Sequence, residues 1–174
     1  MQDILLVIDM QVDFVTGVLG TAEAAAIIPS VKEKILTHKG KVFYTRDTHE
    51  ANYMDTREGH RLPVPHCIRG TDGWQIISEL AGLPCTEVID KPTFGSVELQ
   101  KRILAENKVA PIKSVTLIGV CTDICVISNA MLIKAALPET DIIVDASCCA
   151  GVTVDTHRTA LAAMKVCQID VIGE

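Results

Sequence analysis

Six short apolar runs divide the chain and predict six β-strands. The run at 115–120 is rich in β-branched residues and is closed by Gly119, which is typical of a strand buried on both faces of a parallel sheet. The predicted strands lie at 4–8, 41–45, 87–89, 115–120, 141–144 and 168–172.

Between these runs, apolar residues recur at helical spacing. Ile28, Val31 and Ile35 share one face of a predicted helix, with Pro29 near its first turn and Gly40 after its end. The predicted helices span 28–38, 74–80, 97–107, 123–137 and 156–166, and the predicted loops span 15–26 and 46–73. Strands that alternate with helices form a parallel sheet with helices on both faces. We therefore expect one α/β domain over 1–174, a three-layer αβα sandwich around a mostly parallel six-stranded sheet.

Composition and charge narrow the class of protein. The net charge of −6, with no basic run longer than two residues, argues against a nucleic-acid partner. No stretch has the roughly 18 to 20 apolar residues of a membrane span, and the first residues predict a strand rather than a signal peptide. Seven irregularly spaced cysteines do not suggest a disulfide framework. We expect a cytoplasmic protein with reduced thiols, no membrane association and a small-molecule partner.

Cys125 follows the predicted central strand and lies in the first turn of the next predicted helix, which Thr122 or Asp123 can cap. At a helix start, unpaired backbone N–H groups and the helix dipole favour a thiolate and can hold an oxyanion. A cysteine that simply packs in the core is the commoner case. The carboxyl end of a central strand, where open α/β sheets bind ligands, favours a nucleophile instead.

Asp9 and Lys91 also come directly after predicted strands. An ammonium group beside a thiol favours the thiolate, and a carboxylate can accept the thiol proton. Asp9 as a loop cap and Lys91 as a solvated surface residue are the simpler alternatives. If the strand ends meet, Asp9, Lys91 and Cys125 form a catalytic group.

The long loop at 46–73 holds a second candidate site. Asp47 and His49 lie two positions apart, on the same side of an extended segment, and His66 follows two prolines that stiffen the chain. Carboxylate and imidazole ligands suit zinc, manganese or iron(II), and Glu58 and His60 are further candidates. The alternative is a loop that is merely polar.

Five segments, spread in order over the whole chain, resemble the motifs of the isochorismatase-like cysteine hydrolases. The Asp-x-His and Pro-x-Pro-His pieces are similar to the nicotinamidase (pyrazinamidase) branch, since many sibling enzymes lack that metal site. The segments are Val7-Ile-Asp-Met-Gln-Val-Asp-Phe14, Thr45-Arg-Asp-Thr-His49, Pro65-His-Cys-Ile-Arg-Gly-Thr71, Lys91-Pro-Thr-Phe-Gly-Ser96 and Gly119-Val-Cys-Thr-Asp-Ile-Cys-Val126.

The resemblance implies a role for each residue of the catalytic group. Asp9 would be the general base, Lys91 the bridging cation and Cys125 the nucleophile. The backbone amides of Cys121 and Cys125 would form the oxyanion hole, with a cis peptide bond just before Cys121. Phe14 matches an aromatic wall of the substrate pocket.

The resemblance also implies a metal site and an assembly. One divalent ion, zinc first and manganese or iron as alternatives, would be bound by Asp47, His49 and His66. Glu58 would be the fourth ligand, with His60 as the competing candidate. Family members are commonly homo-oligomers, so we expect a homo-oligomer here by analogy.

The expected activity is the hydrolysis of nicotinamide to nicotinate and ammonia through a thioester on Cys125. Relatives often carry an aromatic residue where this chain has Pro63, so Leu62 or Trp74 is expected to replace it in the pocket. A related hydrolase for another small amide or ureido compound is the first alternative. The second is a non-catalytic metal or thiol redox module that uses Cys121, Cys125, Cys148 and Cys149.

Overall fold

A six-stranded sheet forms the centre of the computed structural model, which describes residues 1–174. All five strand pairings are parallel, and the spatial order of the strands is β3-β2-β1-β4-β5-β6. The strands are β1 Gln2–Ile8, β2 Lys41–Asp47, β3 Glu87–Lys91, β4 Ile112–Val120, β5 Asp141–Ala150 and β6 Asp170–Ile172.

Helices connect the strands and cover the sheet. Several begin at a threonine or serine whose hydroxyl accepts a hydrogen bond from the first turn, as at Thr21, Ser96 and Thr153. The helices are α1 Val12–Val15, α2 Ala22–Ala26, α3 Ile28–Thr37, α4 Arg57–Arg61, α5 Val97–Val109, α6 Ile127–Ala136 and α7 Val154–Val166. None of them combines the length and apolar character needed to cross a lipid bilayer.

Two hydrophobic clusters pack against opposite faces of the sheet. Ile4, Leu6 and Ile8 of β1 contact a cluster with α5, α6 and α7, whereas Leu5 and Val7 contact a cluster with α2 and α3. Side chains alternate between the faces of a strand, so β1 is buried on both sides. The predicted three-layer α/β fold is confirmed.

Several local predictions were wrong. Residues 74–80 do not form a helix, because Gln75 and Ile77 are extended and only short 3₁₀ turns occur at Asp72–Trp74 and Ser78–Leu80. The predicted loops 15–26 and 46–73 contain the short helices α2 and α4, respectively. The predicted strand 141–144 is too short, because β5 continues to Ala150 and includes Cys148 and Cys149 as buried free thiols.

The helix after β4 also begins differently from the prediction. Residues Thr122–Val126 form a π-helical turn, and regular α-helix starts only at Ile127. Single π turns are rare and are often found at functional sites. Cys125 lies inside this turn, directly beyond the carboxyl end of β4.

The strand order brings the carboxyl ends of four strands to one edge. β1 and β4 are adjacent in the middle of the sheet, where the order reverses, and ligands bind at such switch points. Asp47 pairs in register with Lys91 across β2 and β3, and Ile8 pairs with Gly119 across β1 and β4. The residues after these strand ends therefore face one crevice.

Gly119 permits the close approach of β4 to β1 at this edge. Its φ is +114°, and a Cβ atom there would lie 2.2 Å from the carbonyl oxygen of Ile8, the residue before Asp9. A larger residue at position 119 would push apart the two strands that carry Asp9 and the Cys125 turn.

We predict that Gly119→Ala lowers the free energy of unfolding by about 2 kcal/mol or more, because backbone strain and a backbone clash add at this position. Urea unfolding followed by circular dichroism measures the loss. Gly82→Ala is the control, since Gly82 has a φ of +80° but open space around it. Equal losses for the two variants would show that the clash with the Ile8 carbonyl oxygen adds nothing to the cost of the positive φ.

Candidate active site

The Lys91 ammonium lies at the centre of the site and is fully buried. Its Nζ is 2.7 Å from Asp9 Oδ2, 3.2 Å from Asp47 Oδ1 and 3.3 Å from Cys125 Sγ. Nζ also donates a hydrogen bond of 3.2 Å to the carbonyl oxygen of Thr93. The structure thus brings together the three residues that the sequence predicts to be catalytic.

Thr45 fixes the orientation of Asp9. Its hydroxyl donates to Asp9 Oδ1 at 2.6 Å and accepts the Asp9 backbone N–H at 3.2 Å. The other carboxylate oxygen, Oδ2, makes the ion pair with Lys91 and has no aligned hydrogen-bond donor. Oδ2 is therefore the oxygen of Asp9 with capacity to accept a proton.

Burial controls the protonation states here, because Asp9 and Lys91 are 0% exposed and Cys125 is 3% exposed. Burial raises the pKa of Asp9 above its ordinary value, although the Lys91 charge opposes the rise. Burial alone would lower the pKa of Lys91, but the charges of Asp9, Cys125 and Asp47 raise it well above its ordinary value. Lys91 is thus a permanent cation.

Burial opposes the effects of the helix start and of Lys91, which favour a thiolate at Cys125. Burial, together with the negative charge of Asp9, raises the pKa of the Cys125 thiol well above its ordinary value, and Lys91 offsets this only in part. Cys125 is therefore a neutral thiol at rest. Desolvation therefore outweighs the influences that favour the thiolate.

Cys121 begins the turn that holds Cys125. The carbonyl oxygen of Cys121 accepts from Ile124 N–H at 3.1 Å and from Val126 N–H at 3.0 Å, which ties this turn to the strand end. The peptide bond between Val120 and Cys121 is cis, as the resemblance implies. The amides of Cys121 and Cys125 remain the predicted oxyanion hole.

A second group of side chains lies beside the first and has the composition of a metal site. One ligand atom from each member lies within 4.8 Å of the others, and the members are Asp47, His49, Glu58 and His66. His49 Nε2 is 3.0 Å from Asp47 Oδ2 and 3.5 Å from Glu58 Oε1. His66 Nε2 is 3.7 Å from each of the same two oxygens.

These separations fit one divalent ion. Ligand bonds of about 2.0 to 2.2 Å around zinc place neighbouring ligand atoms roughly 3.0 to 3.5 Å apart. His66 Nδ1 lies 2.8 Å from the carbonyl oxygen of Val64, which leaves Nε2 facing the group. The two imidazoles and two carboxylates present here are ligands that zinc accepts.

Helix α4 explains why Glu58, and not His60, joins this group. Thr56 caps α4 by accepting from Gly59 N–H, and a Cβ atom at Gly59 would lie 2.1 Å from the Tyr53 carbonyl oxygen. Because of this close contact, the helix packs against the Tyr53–Asp55 turn and Glu58 faces the two histidines. His60 is exposed and outside the group.

Sequence reasoning missed Gln11, which is fully buried and holds Asp47 by its backbone. Its side-chain Nε2 donates to the Asp47 carbonyl at 2.9 Å, and its Oε1 accepts the Asp47 N–H at 2.7 Å. Nε2 also donates to the Trp74 carbonyl at 2.9 Å. Only its place between Asp9 and Asp13 in the sequence hinted at a role.

Two further buried residues were missed. The ring of Tyr53 packs against His49 and His66, with ring centroids 4.6 and 5.0 Å apart. Asn129 joins the Cys125 turn to the segment after Lys91, because it donates to the carbonyl oxygens of Cys125 and Phe94 and accepts Ser96 N–H. Asn129 lies four positions after Cys125, which is the one sequence signal that placed it near that thiol.

Of the three predicted pocket residues, Phe14 lies closest to the site chemistry. Its ring centroid is 5.5 Å from that of His66, and Phe14 and Cys121 line one cavity of about 110 Å³. Leu62 is 37% exposed, and its carbonyl oxygen accepts a hydrogen bond from the Tyr53 hydroxyl.

Trp74 does not replace the missing aromatic residue at Pro63. Its indole N–H donates to Thr48 Oγ1 at 2.8 Å, and the Arg46 guanidinium stacks 3.6 Å from the ring centroid. Arg46 lies on the opposite face of β2 from Asp47, because side chains alternate along a strand. The side-chain contacts of Trp74 are therefore with residues outside the catalytic group.

The fold of this chain is similar to the folds of several solved structures. The structure is similar to that of the pyrazinamidase of Pyrococcus horikoshii in complex with zinc, with a TM-score of 0.80 and 27% identity over all of both chains. It is also similar to the pyrazinamidase/nicotinamidase of Streptococcus mutans, with a TM-score of 0.78 and 25% identity over 98% of this chain and 99% of that one.

A third similar structure is the N-carbamoylsarcosine amidase of Thermoplasma acidophilum, with a TM-score of 0.75 and 28% identity over 99% of this chain and 96% of that one. The family model described as the isochorismatase domain matches residues 3–173. The chain therefore belongs to the isochorismatase family, and two of these three similar structures are of pyrazinamidases or nicotinamidases.

Proposed function

We propose that this protein is a metal-assisted cysteine amidohydrolase that converts nicotinamide to nicotinate and ammonia. The observation that carries the proposal is the position of Lys91 Nζ, which lies 2.7 Å from Asp9 Oδ2 and 3.3 Å from Cys125 Sγ in a buried site. At these distances the carboxylate can accept the thiol proton and the ammonium can hold both groups in place, as the activation of a cysteine nucleophile requires. The adjoining Asp–His–Glu–His group supports the metal-dependent branch.

In the first half of the reaction, Cys125 Sγ attacks the carboxamide carbon while its proton passes to Asp9 Oδ2. Because the thiol is neutral at rest, proton transfer accompanies the attack, and the raised pKa of Asp9 makes it a stronger base than an exposed aspartate. The amides of Cys121 and Cys125 hold the oxyanion that forms. Lys91 keeps the two reacting groups in place.

In the second half, Asp9 returns the proton to the amide nitrogen, the carbon–nitrogen bond breaks and ammonia leaves. The acyl group is then a thioester on Cys125. Water attacks the thioester carbon and gives a proton to Asp9, after which nicotinate is released and the thiol is protonated again. Each proton is carried by Asp9 Oδ2.

Asp47, His49, Glu58 and His66 would hold the divalent ion. When bound, such an ion supplies a Lewis-acid site that can orient a ring nitrogen of the substrate. Phe14 lies between this group and Cys121, and its ring offers an apolar face to a planar substrate. The protein residues thereby orient the carboxamide toward Cys125.

A ureido or other small amide is the second candidate substrate. This chain has Pro63 where relatives often carry an aromatic residue, and Trp74 contacts Thr48 and Arg46 instead of taking that place. A solved structure at 28% identity is that of an N-carbamoylsarcosine amidase. The non-catalytic thiol module has less support, because the group able to hold a metal contains no cysteine.

We predict that Cys125→Ala lowers kcat for nicotinamide at least about 10³-fold, because the nucleophile is lost. Ammonia release measures the rate, and intact mass after acid quenching should show a nicotinoyl adduct on the wild type only. Cys121→Ala is the matched control and should retain most activity, since Cys121 contributes its amide rather than its thiol. Full activity of Cys125→Ala would refute the mechanism.

We predict that kcat/KM of the metal-loaded wild type falls on the acid side with an apparent pKa above the ordinary aspartate value of 3.8. Asp9 must be ionised to accept the thiol proton, so activity disappears as the pH drops through its raised pKa. Asp9→Asn should lose about 10² to 10⁴-fold in kcat/KM together with this acid limb. Asp90→Asn, one position before Lys91, is the control and should keep the acid limb. An acid limb that persists in Asp9→Asn would exclude Asp9 as the base.

We predict that zinc binding is lost in His49→Ala and His66→Ala and weakened at least about tenfold in Glu58→Ala, because each change removes one ligand. Elemental analysis and chelator competition measure zinc affinity without reference to turnover. His60→Ala should bind zinc as the wild type does. Normal affinity in His49→Ala would show that this group is not the metal site.

A further inference from the structure

Two arginines of α4 line a cavity next to the proposed metal site. The cavity has a volume of about 330 Å³, and its wall is formed by Arg57, Glu58, Arg61, Thr93 and Phe94. Glu58 belongs to the metal group, and the Thr93 carbonyl oxygen accepts a hydrogen bond from Lys91. The cavity wall therefore directly adjoins both halves of the site.

Arg57 and Arg61 have no carboxylate partner within the protein. Three of the other arginines form ion pairs, namely Arg46, Arg69 and Arg102. Neither Arg57 nor Arg61 makes an ion pair or a side-chain hydrogen bond, and both are exposed. Because they are four positions apart on a helix, their side chains lie on the same face and can converge on one ligand.

The charges of the site do not require these arginines. The three carboxylates of Asp9, Asp47 and Glu58 are balanced by the Lys91 ammonium and one divalent ion. Two guanidinium groups at the cavity then leave a local excess of positive charge on a protein whose net charge is −6. Such a local excess attracts anions, and guanidinium groups bind carboxylates in a bidentate manner.

We propose that Arg57 and Arg61 form a carboxylate-binding subsite at the mouth of the active site. Its ligand is the carboxylate of an acidic amide substrate or the carboxylate of the product as it leaves the site, and both sources present the same chemistry. Phe94, which is 45% exposed, supplies an apolar wall for the carbon skeleton. This proposal rests on the proposed amidohydrolase function and defines the class of ligand that the site prefers.

The test compares two amides that differ by one carboxylate, nicotinamide and 5-carboxynicotinamide, with zinc-loaded wild type and the double variant Arg57→Gln/Arg61→Gln. We expect the double variant to lose about tenfold or more in kcat/KM for the acidic amide, since charge-assisted hydrogen bonds are lost. The loss for nicotinamide should stay below about twofold, because a neutral amide makes no such bond. Arg158→Gln, another exposed arginine without an ion pair, should change neither value.

The second arm measures binding of nicotinate by calorimetry, which needs no turnover. If the double variant binds nicotinate more weakly but keeps its kcat/KM for the acidic amide, the carboxylate that the arginines bind is that of the product. Unchanged values in both arms overturn the subsite. If the wild type hydrolyses neither amide, the proposed function fails, and the calorimetric arm alone then decides whether the arginines bind a carboxylate.

Discussion

The burial of the Lys91 ammonium is the constraint on which the site depends. Removing an ion from water costs several kcal/mol even after the protein relaxes, so the fold must surround Nζ with acceptors. Asp9, Asp47 and the Thr93 carbonyl provide them, and Cys125 Sγ completes the shell at 3.3 Å. Each acceptor comes from a different element, because only the edge of a parallel sheet brings so many strand ends together. The cation thereby fixes the distance between the Asp9 carboxylate and the Cys125 thiol.

Asp47 joins the two halves of the site through its two oxygens. Oδ1 faces Lys91, whereas Oδ2 lies 3.0 Å from His49 Nε2. Burial opposes ionisation of Asp47, yet the hydrogen bond with His49 and the charge of Lys91 hold its pKa below the ordinary value. Asp47 therefore stays ionised with a cation on one side and a metal-type ligand group on the other. Gln11 locks this arrangement by binding the Asp47 backbone at both its N–H and its carbonyl.

The sequence predicts the fold and the charged residues of the site well, because both follow from local signals. Apolar runs mark the strands, and Asp9, Asp47 and Lys91 come where those runs end. Gln11, Tyr53 and Asn129 were missed because their roles depend on contacts between distant segments, which no periodicity reveals. The sequence shows that a helix start favours a thiolate at Cys125, but the burial and the charge of Asp9 that raise the pKa of this thiol arise only in the folded chain.

Substrate choice depends on different residues from those that perform the chemistry. Structures at 25 to 28% identity include both pyrazinamidases and an N-carbamoylsarcosine amidase, so the shared scaffold does not by itself fix the ligand. In this chain the segment between His49 and His66 supplies Glu58, the proline at position 63 and two unpaired arginines on α4. This segment packs through Tyr53 against both histidines. A change that moves the backbone of this loop therefore also acts on the metal group, whereas replacement of the exposed Arg57 and Arg61 side chains leaves the packing of Tyr53 on the histidines in place.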